Sequence, residues 1–475
     1  MKIFSQFARV LSLARLRPFD TSTSGGRSQE RYRRAALTTV TAGIARAISL
    51  LTSLISVPLT FRYLGSERYG IWMVLISLIS VMGFADLGIG NGLVNAVSEA
   101  YGKDDRQLAK EHVTSALFLM LGIASVFAVA GILIFPRMPW LRLFNVTSAP
   151  VAAEGARAFL VLYCWFVINI PLGVVTRAQT GLQQGYASQT VGAFGNIASL
   201  LGLLLVVALH GSLASLVFAS TFGVVLATLL NGWLLFRDHP WLWPSWQSYR
   251  RSSAHKILTL GAMFFVLQCA SAIGFASDNI VIAQVLGAAA VAAYAVPQKL
   301  FSFVPMMINL GIAPLWPAYG EALARGDQAW VRRVFLGSLG VTLAFAIPQS
   351  ALLVLGGPWI LRVAVGKSLH APMLLLVVLG IWGVVSSASS VVGSLLNGAG
   401  IMKAQTIVSV VANLSNLALS IFFTRRLGVI GVCLGSIVTQ VVIAYPAYFF
   451  IIRGLFRTLE NTKIAYALQQ AAPSP

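Results

Sequence analysis

Long apolar segments alternate with short polar connections along nearly the whole chain. A helix needs about 20 apolar residues to cross the hydrocarbon of a bilayer, and the chain contains twelve segments of about this length. They begin near Ala35, Gly70, Val113, Ala158, Val191, Ser212, Ile257, Ala288, Val334, Ala371, Thr406 and Val429. The last segment ends near Ile452, and the connections are too short to hold a soluble domain. The pattern predicts an all-α polytopic membrane protein with about 12 transmembrane helices.

The second half of the chain repeats the first at a shift of 222 positions, which aligns residues 99–110 with 321–332 and Gly65 with Gly287. Six is an even number of spans, so both halves have the same orientation, as in parallel repeats with a binding site near the midplane between them. The predicted organisation is a basic tail (1–34), a first six-helix bundle (35–236), a linker (237–256), a second six-helix bundle (257–453) and a C-terminal tail (454–475).

Composition and charge agree with a membrane location. Charged residues make up only 10% of the chain, yet its net charge is +20. With the N-terminus inside the cell, the predicted inner segments hold 23 basic residues and the outer loops hold 9. Short loops rich in Lys and Arg stay in the cytoplasm, so both termini are expected there. The positive charge then reflects topology and attraction to anionic lipids, and no nucleic-acid partner is predicted.

The N-terminal tail does not have the pattern of a signal peptide, because Arg9, Arg15 and Arg17 interrupt every candidate apolar core. Residues 1–19 either lie on the membrane surface as a basic amphipathic helix or are disordered. The small polar residues at 21–29 predict a flexible segment after them.

Four charged residues fall inside the predicted spans, where each costs at least about 2.5–3.5 kcal/mol at the bilayer centre unless it meets water or a partner. They are Arg46, Asp86, Asp278 and Lys299, in the first, second, seventh and eighth spans. The repeat makes the first span equivalent to the seventh and the second equivalent to the eighth. These two helix pairs are therefore expected to line a hydrated central cavity.

The depth of each charge suggests its role. At 1.5 Å per residue, Arg46 and Lys299 lie about 16–17 Å from the ends at which their helices enter the membrane, near its midplane. Two such cations, with Gln268 at the position aligned with Arg46, suit an anionic group such as phosphate. Asp86 lies nearer the cytoplasm and Asp278 nearer the outside. They either carry a coupling H+ or Na+ or hold the cations in place. Alternatively, the charges form buried salt bridges that only fix helix packing.

Several separated motifs resemble the polysaccharide-transport (O-antigen flippase-like) branch of the multidrug/oligosaccharidyl-lipid/polysaccharide exporter superfamily, over about residues 33–453. They are, in order, "YLGSERYGIW", "FADLGIGNGLVNAVSEAYGKDD", "SDNIVIAQVLG", "YAVPQKLFSFV" and "APLWPAYGEALARGD". The resemblance implies two six-helix bundles around a central cleft in the bacterial inner membrane. Asp86, Asp278 and Lys299 occupy the motifs "FADLG", "SDN" and "PQKL", whereas Arg46 lies in no sharp motif.

The same resemblance implies a cargo, which is an oligosaccharide repeat unit linked to undecaprenyl pyrophosphate and moved from the inner to the outer leaflet. The implied partners are this lipid-linked oligosaccharide, the membrane, and polysaccharide polymerase or assembly proteins. Tyr294 either stacks on sugars or anchors the protein at the membrane interface. No metal and no cofactor other than a coupling H+ or Na+ is expected.

Three transporter classes remain as alternatives: a multidrug or cation antiporter of the same superfamily, a peptidoglycan-precursor flippase, and an exporter of a teichoic-acid-like polymer. A site for organic cations should be net acidic, whereas the predicted mid-depth charges are positive. An enzyme such as a membrane glycosyltransferase is not predicted, because it would need a sizeable loop carrying catalytic acids. The glycine-rich run at residues 88–92 lies within a span with no preceding strand, and predicts close helix packing rather than a nucleotide site.

Overall fold

The computed structural model describes residues 17–82, 84–140, 148–365 and 372–471, and their regular structure is helical throughout. The α-helices are α1 Ser24–Met82, α2 Ile89–Gly102, α3 Arg106–Ile134, α4 Ala149–Gly181, α5 Gly185–Ala208, α6 Leu213–Asp238, α7 Arg251–Leu286, α8 Ala288–Phe301, α9 Phe303–Ile312, α10 Leu315–Ala324, α11 Gln328–Val365, α12 Met373–Gly398, α13 Met402–Leu427, α14 Ile430–Val438 and α15 Tyr445–Ala471. In these ranges, eleven helical segments are long and apolar enough to cross a membrane. The predicted all-α polytopic fold is confirmed.

The chain forms two compact units, Met1–Ala262 (the first unit) and Met263–Pro475 (the second unit). The boundary falls within α7, close to the predicted start of the second bundle. In the linker, two 3₁₀ turns at Pro240–Leu242 and Trp246–Ser248 connect α6 to α7. Each unit has its own apolar core.

Local geometry recurs at positions that the 222-residue shift aligns. Gly65 and Gly287 both have left-handed backbone, with φ of 69° and 91°, which glycine adopts without a Cβ clash. Gly65 therefore divides α1 at a kink into two helical parts. Asp105 Oδ1 accepts a hydrogen bond from the Leu108 N–H at 2.9 Å. Its equivalent Asp327 accepts one from the Trp330 N–H at 3.3 Å. Both aspartates cap the start of a helix.

The second predicted span is not the continuous helix that the apolar pattern suggested. α1 ends at Met82 and α2 begins at Ile89, with turns between them at residues 84–88. Leu87 and Gly88 have φ of 50° and 73°, which a right-handed helix cannot contain. This span is not among the eleven segments that are long and apolar enough to cross a membrane. Asp86, predicted to lie inside a helix, lies in the turn.

The first helix also begins earlier than predicted. It starts at Ser24 instead of near Ala35, and it includes most of the segment predicted to be flexible. The Thr23 hydroxyl accepts a hydrogen bond from the Gly26 N–H. Further along, Glu30 pairs with Arg33 and Arg34. These polar contacts extend the helix beyond its apolar part. Most of the predicted surface helix lies in residues 1–16, outside the described ranges.

Candidate functional site

The residues predicted to bind substrate do not share one environment. Arg46 on α1 and Lys299 on α8 are exposed, and Gln268 on α7 is half-buried. Arg46 belongs to the first unit, whereas Lys299 and Gln268 belong to the second. The role of these three residues in binding an anionic group stays a prediction.

Asp278 and Tyr294 form a buried pair inside the second unit. They are 6% and 1% exposed, and the tyrosine hydroxyl donates a hydrogen bond to Oδ2 of the carboxylate at 2.9 Å. The ring of Tyr294 is part of an apolar core that includes Ile282 and Leu376. In this structure the ring is therefore enclosed, and its polar end contacts Asp278 instead of an interface or an open surface.

Asp278 also lines a cavity of about 390 Å³ within the second unit. Most of the other polar groups lining this cavity are hydroxyls and amides, including Ser386, Ser409, Asn413, Asn416, Ser436 and Thr439. Oδ1 of Asp278 has no hydrogen-bond partner among the described residues. A buried carboxylate oxygen at the edge of an oxygen-rich cavity is suited to binding a proton or a small hard cation. Gln298, and not its neighbour Lys299, lines the same space.

Asp86 has a different setting in the first unit. Its Oδ1 accepts a hydrogen bond from the Gly88 N–H at 2.9 Å, which stabilises the turn before α2. Its Oδ2 lies 3.7 Å from Nη2 of Arg177 on α4. Arg177 in turn donates from Nη1 to Oδ1 of Asn91 at 2.8 Å. The side chains of Arg177 and Asp86 are 41% and 21% exposed, so the pair is open to a ligand.

Both charges line a cavity of about 620 Å³ within the first unit. Aromatic side chains and hydroxyls make up much of the remaining wall, including Trp72, Trp165, Phe166, Ser220 and Thr221. Gly90 also lines the cavity, and an added Cβ atom there would touch both Arg177 and Asp86. The absence of a side chain at Gly90 thus makes room for the pair.

Arg177 was not predicted as a site residue. It lies close to the end of α4 at Gly181, and the charge pattern therefore assigned it to the basic residues of an inner loop. The sequence did contain one signal for Arg177. Asn169, Gly173 and Arg177 are spaced four residues apart, and such residues share one helix face. All three line the same cavity.

Comparison with known proteins identifies relatives by sequence. Residues 37–322 match the family described as polysaccharide biosynthesis protein. A putative O-antigen transporter of Salmonella typhi is 23% identical over 301 residues, which cover 62% of this chain and 68% of the relative. A putative O-antigen export protein of Yersinia pseudotuberculosis is 22% identical over 348 residues, which cover 72% of this chain and 78% of the relative.

Solved structures of similar fold include a MOP superfamily transporter. A crystal structure of MATE in the bent conformation has a TM-score of 0.78 at 15% identity, covering 91% of this chain and 97% of that one. A MOP superfamily transporter from Pyrococcus furiosus has a TM-score of 0.75 at 14% identity, covering 90% of this chain and 96% of that one. At these identities the likeness establishes the fold alone.

Proposed function

Because the chain belongs to the polysaccharide biosynthesis protein family, we propose that it is a flippase for undecaprenyl-pyrophosphate-linked oligosaccharide repeat units in the bacterial inner membrane. The observation that carries this proposal is the family match over residues 37–322, which includes Arg46, Asp86, Asp278 and Lys299. The relatives named as O-antigen transporter and export protein support it. In this function the protein moves repeat units from the inner to the outer leaflet by alternating access, for surface polysaccharide synthesis.

The proposed cargo explains why cations belong in the membrane interior. A diphosphate and several sugars cannot cross hydrocarbon, because their desolvation is too costly. The isoprenoid tail is apolar and can stay in the bilayer. Arg46 and Lys299 are each exposed in their own unit, and each is proposed to contact phosphate as the head group moves through the protein. Arginine binds phosphate with two parallel hydrogen bonds, and lysine acts as a point charge.

An ion gradient would provide the bias that resets the empty transporter. A ligand shifts a conformational equilibrium only by its difference in affinity for the two states. Asp278 is the principal candidate carrier of H+ or Na+, because it is nearly buried and lines the oxygen-rich cavity of the second unit. Asp86 is tied to a turn and to Arg177, so its contribution to ion coupling is expected to be smaller.

The positive-inside rule supports an orientation with both termini in the cytoplasm. The inner segments then carry the larger share of the 34 Lys and Arg residues. Enzymes that assemble the repeat unit in the cytoplasm would supply the cargo, and a polymerase or other assembly protein on the outer side would consume it.

Deletion of the gene in its own organism tests the function. We expect surface polysaccharide to be lost and lipid-linked repeat units to accumulate, with both effects reversed by the gene supplied in trans. The alternative is a multidrug or cation antiporter, which the MATE-like fold also accommodates. Unchanged surface polysaccharide together with new sensitivity to organic cations would favour the antiporter and reject the flippase. A peptidoglycan-precursor flippase would instead cause cell-wall defects and accumulation of that precursor.

A further inference from the structure

The first-unit cavity contains a donor and an acceptor that are close together but not hydrogen-bonded to each other. Nη2 of Arg177 lies 3.7 Å from Oδ2 of Asp86, beyond the roughly 2.7–2.9 Å of a charge-assisted hydrogen bond. Separate hydrogen bonds from Gly88 to Asp86 and from Arg177 to Asn91 orient the two side chains. Both groups therefore have hydrogen-bonding capacity left for a ligand.

The opposite charges of this pair restrict the ligand. A phosphate would approach the Asp86 carboxylate, and an organic cation would approach the Arg177 guanidinium, so each would meet a like charge. A neutral ligand with adjacent hydroxyls avoids both contacts. One hydroxyl can accept from Arg177 while its neighbour donates to Asp86. The pair thus favours an uncharged polyol over phosphate or an organic cation.

The rest of the cavity suits a sugar ring. Trp72 on α1 and Trp165 and Phe166 on α4 line it, together with the hydroxyls of Ser220 and Thr221 on α6. Aromatic rings provide large apolar surfaces with little conformational freedom, which match the C–H-bearing face of a pyranose. The volume of about 620 Å³ is within the roughly 300–1,000 Å³ typical of small-molecule sites.

We propose that this cavity binds an uncharged sugar residue of the transported oligosaccharide. Asp86 and Arg177 pair with adjacent hydroxyls, and the aromatic side chains pack on the ring. The proposal rests on the proposed function, because it takes the cargo to be a glycan. It assigns the sugar to a cavity whose lining residues include neither Arg46 nor Lys299, the cations expected to hold the diphosphate.

A substitution at Gly90 would place a side chain in the site while keeping both Arg177 and Asp86. A Cβ atom there would lie 2.7 Å from Nε of Arg177 and 2.8 Å from Oδ2 of Asp86. Both are side-chain atoms that can move aside, so the Gly90→Ala variant is expected to fold with the pair displaced. Gly192 on α5 of the same unit has nothing within 4 Å of its Cβ position. Gly192→Ala is therefore the matched control.

The experiment uses the purified full chain in lipid nanodiscs and the oligosaccharide that mild acid releases from the source organism's surface polysaccharide. Binding is measured by titration calorimetry. We expect Gly90→Ala to weaken binding about tenfold, as for loss of one hydrogen bond to a charged group, and Gly192→Ala to change it less than about twofold. Inorganic phosphate and tetraphenylphosphonium should not compete with the oligosaccharide.

A second variant gives an optical signal from the cavity. Trp165→Phe removes one indole from the lining of the cavity, so it should reduce the fluorescence quenching caused by the oligosaccharide. An unchanged quench would overturn the proposal. So would absence of binding by the wild-type chain, equal affinity of wild type and Gly90→Ala, or competition by phosphate or the organic cation.

The deletion experiment separates this proposal from the flippase function. If the chain is required for surface polysaccharide but Gly90→Ala binds and transports normally, the sugar site is refuted and the flippase function stands. If deletion leaves surface polysaccharide unchanged, the flippase function fails whatever the binding measurements give.

Discussion

The hydroxyl of Tyr294 lies 2.9 Å from Oδ2 of Asp278 and donates a hydrogen bond to it in the interior of the second unit. The two residues are on consecutive helices, α7 and α8, which the left-handed Gly287 separates. This contact joins the two helices that correspond to the seventh and eighth predicted spans, which were expected to line the cavity. It also provides a donor to a carboxylate that is only 6% exposed.

Replacing Tyr294 with Phe should destabilise the protein, because it leaves Oδ2 of Asp278 without that donor. Loss of a buried partner costs about 1–3 kcal/mol. The thermal midpoint of the purified protein in detergent, followed by scanning fluorimetry, should fall by several degrees. Tyr249→Phe is the control, since Tyr249 is 40% exposed. Equal midpoints for the two variants would contradict the structural role of the bond.

Asp278→Asn should reduce ion-driven turnover more than Asp86→Asn does. Asp278 is nearly buried beside the oxygen-rich cavity, whereas Asp86 has an arginine neighbour and caps a turn. The measurement is transport of labelled lipid-linked oligosaccharide into proteoliposomes with and without an imposed H+ or Na+ gradient. If both variants keep the full response to the gradient, neither carboxylate couples an ion to transport.

Alanine at Arg46 or at Lys299 should abolish surface polysaccharide without lowering the amount of protein in the membrane. Arg46→Lys should restore only part of the activity, because lysine keeps the charge but loses bidentate hydrogen bonding. Arg425→Ala is the control, as Arg425 is an exposed cation near the end of α13. Full activity in both alanine variants would refute the role in substrate binding, whereas loss in all three would indicate a general effect of charge.

Gly92→Ala should strongly destabilise the first unit. A Cβ atom at Gly92 would lie 2.7 Å from the backbone oxygen of Ile257 and 3.1 Å from the backbone nitrogen of Gly261. Backbone atoms cannot move aside as side chains do, so α2 and α7 would have to separate at a cost of about 1–3 kcal/mol. Gly70→Ala, with nothing within 4 Å of its Cβ position, is the control. Similar detergent stability of the two variants would contradict the close contact.

At the glycine-rich run of residues 88–92, the sequence predicted one structural feature and missed another. Close packing was predicted there, and Gly92 lies against α7 as expected. The run also begins with the helix interruption, which the apolar pattern did not indicate. A hydropathy pattern reports burial in lipid or protein, and it does not report the sign of φ at Leu87 and Gly88. The interruption of the helix could therefore be found only from the structure.

For a similar reason, the charged residues of the candidate sites could be predicted but their partners could not. Asp86 and Asp278 could be identified from the sequence, because a charged residue inside an apolar span is costly wherever its partners lie. Their partners could not be predicted in this way. Arg177 reaches Asp86 from another helix, 91 positions along the chain. The aromatic character of Tyr294 suggested an interface or a sugar, whereas its actual environment depends on how α7 and α8 pack.

Labelling of single cysteines should test the orientation. In a background lacking Cys164, Cys269 and Cys433, cysteine at Lys103 or Arg325 should be shielded from an impermeant thiol reagent in intact cells. Cysteine at Arg142, which lies outside the described residues, should be labelled, because the basic-residue bias assigns its loop to the outside. Permeabilised cells provide the control for accessibility. The reverse pattern would reject the cytoplasmic location of the termini.

The matching corners at Gly65 and Gly287, which the same shift relates, are the expected trace of a gene duplication. The two helix corners share a positive φ, whereas the interiors of the two units differ. One copy carries the Asp86–Arg177 pair beside aromatic rings, and the other carries Asp278 among hydroxyls and amides. A mutation in one interior can leave the other intact, because each copy has its own core. Duplication thus gave one polypeptide two cavities, each of which can acquire a different function by mutation.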